Sequence, residues 1–263
     1  MYMRRHLTSI IAALGLACMA PAANAAPAHQ LAPESLPYKV MFKWGLINKQ
    51  AGRAVLSLDH GTNEYRAQLT ARSEPWADHF YSVRDTLLST MHAANYLPKT
   101  YEKIANEADD RKHDRVIFHY NGNQGVTADS YRKEFRKGEL RVDDHHQFSS
   151  DSIAVDMLSS FYLMRTLPYE KWAEGQTYCV PIFSGKQKET LTIKYHGKED
   201  LKIDGVNYPT YHITFIFTSR GGKKSSDDMD AWIYNHNSRI PLRLEGKLPV
   251  GKVHCIYTGE LKP

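Results

Sequence analysis

Tyr65-Arg66-Ala67-Gln68-Leu69-Thr70-Ala71-Arg72 decides the fold. Tyr65, Ala67, Leu69 and Ala71 alternate strictly with Arg66, Gln68, Thr70 and Arg72. Successive side chains of a strand point to opposite faces, so this period of two predicts a strand with one dry and one wet face. Upstream, Tyr38 to Trp44 alternates in the same way, with Tyr38, Val40, Phe42 and Trp44 on one face and Gly45 ending the run. Ala51 to Leu58 follows, closed by the turn residues Gly61-Thr62-Asn63. Downstream, Tyr81 to Ser89 and the run after Tyr96-Leu97-Pro98 read as strands. Arg115 to Tyr120 stops at Asn121-Gly122, and Gly125 to Arg136 stops at Lys137-Gly138. Asn-Gly tolerates the positive φ angles of a tight hairpin, and turns about ten residues apart mark an antiparallel meander.

The pattern resumes at Gln176–Phe183, Glu189–His196, Glu199–Ile203 and Tyr208–Thr218, then Met229–Tyr234, Pro241–Leu248 and Lys252–Leu261. One segment differs. Ile153, Met157, Phe161 and Met164 recur at helical spacing behind Ser150-Asp151-Ser152 and ahead of Pro168, which predicts an amphipathic helix over 152–167. The expected fold is therefore mainly β: a strongly curved antiparallel sheet, an open barrel or β-spiral of about twelve strands, with one helix on its concave side.

The N-terminus reads as an address. Arg4 and Arg5 precede an uncharged run, Leu7 to Ala20, and Ala23-Asn24-Ala25 supplies small residues for cleavage. That order predicts a signal peptide over 1–25, cleaved after Ala25, and a periplasmic protein. The run is shorter than the roughly 20 residues that span a bilayer, and no later run reaches that length, so no transmembrane segment is expected in the mature chain. Residues 26–36 read as an extended leader and 37–263 as a single β domain. Losing Arg4 and Arg5 lowers the net charge from +5 to +3, too small a field to suggest nucleic acid. Losing Cys18 leaves Cys179 and Cys255, which in an oxidising compartment predict one disulfide contributing about 4 kcal/mol.

Several pieces recur in a fixed order: Tyr38-x-Val40, Trp44-Gly45, Ala51-Gly52-x-Ala54, Asp156-x-Leu158-Ser159-x-Phe161-Tyr162-x-x-Arg165, Gly175 with Val180-Pro181, Trp232-Ile233, Arg239-Ile240-Pro241-Leu242 and Gly251-Lys252-Val253. Together they resemble the bacterial exported family called domain of unknown function 3108. The Trp and Pro-Leu-Arg ending is similar, more weakly, to the LolA/LolB type of half-open β-barrel. The resemblance implies a periplasmic, mostly antiparallel β fold and no assigned activity. Here Gly45 to Gln50 stands where that pattern has a shorter glycine-rich turn.

Catalytic motifs are sparse. Gly246 to Lys252 copies the glycine–lysine spacing of a phosphate loop, but Val253 stands where a hydroxyl should hold magnesium, and it reads as a hairpin turn. There is no G-x-S-x-G elbow, and no cofactor is called for. Asp143-Asp144-His145-His146 is the densest metal-capable set, with Asp144, His145 and His146 as possible ligands of a metal-dependent enzyme or hydrolase. Neighbours on an extended chain diverge, however, and a solvated charged loop is the simpler reading. The expected function is a cell-envelope binding or scaffold protein for a lipid-like or polymer ligand, or for a partner protein. Trp44, Tyr162, Arg165 and Trp232 are its candidate binding residues: aromatic rings suit an amphipathic groove, and Arg165 suits either a salt bridge to the sheet or an anionic head group at a cavity mouth.

Overall fold

A computed structural model describes residues 30–121, 125–219, 228–248 and 251–261. The predicted signal peptide, Gly122, Arg220 to Lys224, Pro249 and Val250 lie outside the described residues. The strands are β1 Glu34–Trp44, β2 Ile47–His60, β3 Glu64–Ser73, β4 Val83–His92, β5 Pro98–Glu107, β6 Asp110–Tyr120, β7 Val126–Arg136, β8 Glu139–Ser150, β9 Thr177–Phe183, β10 Lys188–Ile203, β11 Val206–Ser219, β12 Met229–Tyr234, β13 Pro241–Lys247 and β14 Lys252–Tyr257. Two helices accompany them, α1 Pro75–Asp78 and α2 Ser159–Thr166.

All fourteen strands form one antiparallel sheet in the order β8-β7-β6-β5-β4-β3-β2-β1-β14-β13-β12-β11-β10-β9. Two meanders are joined where the first strand pairs with the last, Tyr38 opposite Tyr257 and Lys43 opposite Lys252. Each hairpin is local, which is why the alternating sequence reads so directly. The two outer strands, β8 and β9, face each other across the seam of a nearly closed barrel. Lys188 Nζ donates to the Ser149 carbonyl at 2.6 Å, Ser130 Oγ to the Gly185 carbonyl at 2.7 Å, and Phe183 packs against Phe118 and Phe148.

The strand count comes close to the expected twelve, and two local readings change. Asp143 to His146 is not a loop but the middle of β8, paired along its length with β7. The runs on either side of Gly197 are one strand, β10, carrying a bulge.

The predicted helix is also shorter. It begins at Ser159, not Ser152, because the residues before it are committed elsewhere. Val155 bridges Ile182 at the free edge of β9, its amide donating to the Pro181 carbonyl and its carbonyl accepting the Phe183 amide, both at 2.9 Å. Asp156 then starts the helix. Its Oδ1 accepts the amides of Leu158 and Ser159 at 2.7 Å each, and the Asp156 amide in turn donates to Ser159 Oγ at 2.9 Å. Those side-chain bonds satisfy donors that a helix start leaves open.

The helix runs inside the barrel toward the Glu34 end of β1. Leu158 and Tyr162 pack with Leu56, Leu58 and Tyr65, while Met164 joins the second half of the core with Ile193 and Phe215. Tyr162 Oη donates to the Ser57 carbonyl at 2.9 Å. Arg165, 0% exposed, is held by the Glu34 carboxylate and by the carbonyls of Ser238 and Arg239, each at 2.9 Å. Glu34 belongs to the stretch read as a leader. It opens β1 instead, and Leu31 just before it is buried, its amide bonded to Tyr96 Oη.

The expected Cys179–Cys255 disulfide is corrected. Cys255 is a free thiol, pushed up to about 11 by burial. It lies on the core side of β14, five strands along the sheet from β9. Cys179 alternates with the buried Tyr178 and Val180 and so faces away from the core. Strands lie nearly 5 Å apart in a sheet, and a disulfide needs Cα atoms within about 7 Å.

Removing one partner from a buried ion pair leaves an uncompensated charge and costs about 3–5 kcal/mol. Urea unfolding of Arg165→Met and of Glu34→Gln should show losses of that size. The double variant should be more stable than the sum of the two losses predicts. Purely additive losses would mean that the two groups do not stabilise each other.

Candidate functional site

The helix fills only one end of the barrel. At the other end, where β1 finishes at Trp44, an apolar cavity of about 540 Å³ opens to solvent. Its wall is built by the alternation that made the strands legible. Val40, Phe42 and Trp44 continue the inward face of β1 from Leu36 and Tyr38, and Ala71, Val83 and Val253 add the inward faces of β3, β4 and β14. Ala71 and Gly52 keep the wall low. A Cβ at Gly52 would stand 2.7 Å from the Arg72 carbonyl oxygen, so glycine is required where β2 approaches β3.

The remaining wall comes from α1 and the residues after it. Pro75 occupies the first turn, where its missing amide leaves nothing unsatisfied. The Glu74 amide donates to the Ala51 carbonyl at 2.8 Å, and Trp76 Nε1 to the Gln50 carbonyl at 2.7 Å, which fixes the turn on β2. Asp78 is locked to Arg84 at 2.7 Å and to the Ser73 hydroxyl. Trp76 and Phe80 meet edge to face at the mouth, and Lys49 Nζ lies 4.5 Å above the Trp76 ring. Phe80 is 83% exposed there and Trp44 56%.

Of the four candidate binding residues, Trp44 alone lines this cavity. Tyr162 and Arg165 are fully buried at the opposite end, so Arg165 makes the salt bridge to the sheet and meets no cavity mouth. Trp232 stands on the face of β12 opposite Ala231 and Ile233. It stacks on His212 with ring centroids 4.7 Å apart and carries Arg243 at 5.4 Å. Sequence reading missed Val40, Phe42, Trp76 and Phe80. The first two share the alternation of Trp44, and Trp76 and Phe80 have i, i+4 spacing behind a proline, so a local signal was present.

The metal-capable set does not converge. In β8, His145 points to one face, stacked on Tyr131 with Nε2 3.2 Å from Asp129, while Asp144 and His146 share the other face. Among the described residues no group of three or more His, Cys, Asp or Glu is arranged to hold a metal ion.

The barrel interior also holds a buried carboxyl. Asp156 is 0% exposed and accepts the Ser89 hydroxyl at 2.6 Å in addition to its two amides. Burial pushes its pKa up to about 6, against the lowering effect of those donors. The nearby Tyr101 hydroxyl is buried without a hydrogen-bond partner among the described residues.

A family model described as "Protein of unknown function (DUF3108)" matches residues 38–256. No curated protein matches the chain significantly. Among solved structures, the crystal structure of a beta-barrel-like protein of domain of unknown function DUF1849 from Brucella abortus is similar at 10% identity. The match has a TM-score of 0.57 and covers 87% of this chain and 97% of that one. At that identity the likeness concerns the fold alone. It is consistent with the barrel type that the weaker resemblance implied.

The raised pKa of Asp156 gives a pH signature. Between about pH 4 and pH 6 the folded protein holds a proton that the unfolded chain has released, so this group's contribution falls as pH rises. The full cost, about 3 kcal/mol for a shift of about two units, is present above pH 6. The unfolding free energy of the wild type, relative to Asp156→Asn, should therefore decline by up to about 3 kcal/mol from pH 4 to pH 7. A difference independent of pH would show that Asp156 is not buried as described.

Proposed function

The chain belongs to the DUF3108 family of unknown function, and from that premise we propose that it is an exported envelope protein that binds an apolar, lipid-like ligand in the cavity at the open end of its barrel. The carrying observation is the cavity itself. Its volume falls within the range of about 300–1,000 Å³ typical of small-molecule sites, and its walls are nearly all hydrocarbon and aromatic. An apolar space of this size left open to water gains free energy when a nonpolar chain displaces that water. Trp44, Trp76 and Phe80 at the mouth offer rings that tolerate both water and hydrocarbon.

The periplasm is the proposed compartment. Arg4 and Arg5, the apolar run from Leu7 to Ala20 and Ala23-Asn24-Ala25 support export with cleavage after Ala25. In that compartment a lipid chain in transit needs shelter from water, and a barrel plugged at one end by α2 and open at the other provides it. The N-terminus of protein recovered from the periplasmic fraction should be Ala26; an intact Met1 on membrane-held protein would overturn the export reading.

Delipidated protein titrated with a fluorescent fatty acid should show saturable binding and altered Trp44 and Trp76 emission. Ala71→Trp fills the cavity and should weaken binding at least about tenfold, with the circular dichroism of the fold unchanged; one lost buried chain segment of two methylenes suffices for that. No binding to the wild type, together with the bare chain mass in native mass spectrometry before delipidation, would remove the ligand.

A further inference from the structure

Three connections meet at the cavity mouth: the β1–β2 turn, the α1–β4 connection and the β13–β14 turn. Each ends in unburied hydrocarbon. Leu46 is fully exposed at the tip of the first, Phe80 and Tyr81 project from the second, and Leu248 stands on the third. Trp44 and Ile47 complete the rim. Soluble proteins scatter single exposed apolar side chains; six gathered on one end of a barrel form a patch that water alone does not explain.

Around this patch the acids Glu74, Asp78, Glu107 and Glu245 are each engaged by basic or hydroxyl partners, whereas several bases are left without an acidic partner among the described residues. Lys247, Lys252 and Lys43 lie directly opposite one another across β13, β14 and β1. All three are exposed and have no acidic partner among the described residues. Like charges in cross-strand register repel. Glu245, the nearest acid on β13, is taken by Arg243 and His254. Gly251, at φ +82°, holds this row together: a Cβ there would collide with the Lys43 carbonyl. A second row, Arg53, Arg72 and Arg84, crosses β2, β3 and β4. Glu74 and Asp78 neutralise its ends, and Arg72 between them has no acidic partner among the described residues. Lys49 rests on Trp76, and it too has no acidic partner among the described residues.

We infer that this end of the barrel docks on an anionic phospholipid bilayer. Its apolar tips would enter the boundary between head groups and acyl chains, and the lysine rows would meet the lipid phosphates. Trp and Tyr belong at that depth, and basic side chains flanking inserted apolar ones are the usual complement of an anionic leaflet. The charge pattern favours this surface over a second copy of the chain, because two such faces would bring the lysine rows against each other. The docked face contains the cavity mouth, but docking depends on the rim residues alone and does not require an occupied cavity.

Cosedimentation of the full mature chain with mixed phosphatidylglycerol–phosphatidylcholine vesicles tests it. The wild type should bind these vesicles, bind pure phosphatidylcholine at least about tenfold more weakly, and be released by salt near 0.5 M. Lys43→Glu/Lys252→Glu should weaken binding at least about tenfold, and so should Leu46→Glu/Phe80→Glu. Both pairs are exposed, so thermal unfolding should be unchanged. Ala71→Trp should bind vesicles like the wild type. Vesicle binding without fatty-acid binding would remove the cavity reading and leave docking standing. Fatty-acid binding without vesicle binding would do the reverse. Equal binding by wild type and both charge and apolar variants, or a stable dimer that buries Leu46 and Phe80 and ignores vesicles, would overturn docking.

Discussion

Arg165 is a permanent cation sealed from bulk solvent. Its guanidinium must be surrounded by acceptors, and the fold supplies them from two distant parts of the chain: the Glu34 carboxylate at the start of β1 and the carbonyls of Ser238 and Arg239 before β13. This requirement fixes where α2 can lie. The helix is bound to the end of the barrel where β1 begins, close to Tyr38 Oη, which donates to the Pro241 carbonyl. The neighbouring Arg239 extends the same arrangement by pairing with Glu170 beyond the helix and stacking on Tyr211. A helix anchored so firmly at one end cannot fill the other, and the open cavity is the consequence.

Closure of the barrel imposes a second constraint. Because the first and last strands pair, the free edges fall in the middle of the chain, at β8 and β9. The chain must cross from one to the other, and free edges invite unwanted pairing. Residues 151–158 serve both needs. They lie along β9 through Val155, turn inward at Asp156 and begin the helix that plugs the barrel. The seam is thus covered by the segment that supplies the core, with Ser130 and Lys188 bonding across it.

These two constraints explain what could be read from the sequence. Strands defined by alternation, such as β1, β3 and β11, were plain because each has one dry and one wet face. The region from β8 to the helix was not. Asp143 to His146 is polar on both faces, so alternation has nothing to report there. Ile153 and Val155 are buried as an extended segment, yet Ile153 falls at helical spacing with Met157 and Phe161. The beginning of the helix depends on Asp156 and on the distant edge of β9, and no local period records a partner so far along the chain. Glu34 escaped for the same reason: its role is set by Arg165, 131 residues away. Among the candidate site residues, Trp44 was legible from its own strand. Tyr162 and Trp232 belong to motifs that pack the barrel and brace its wall, so the abundance of aromatic residues marked structure at those positions and a cavity at only one.

The open end has a logic of its own. A barrel could close it with a few larger residues at positions such as Ala71, or by folding Phe80 inward. Instead the wall is kept low by Ala71 and Gly52, while the largest apolar side chains are placed at the rim, where they cost solvation free energy in the isolated molecule. The lysine row across β13, β14 and β1 carries a further electrostatic cost in cross-strand repulsion. Neither feature stabilises the barrel, and both costs vanish when the same face meets hydrocarbon and negative charge together. Two independent penalties on one end of the molecule, relieved by one kind of surface, are better explained by contact with that surface than by packing.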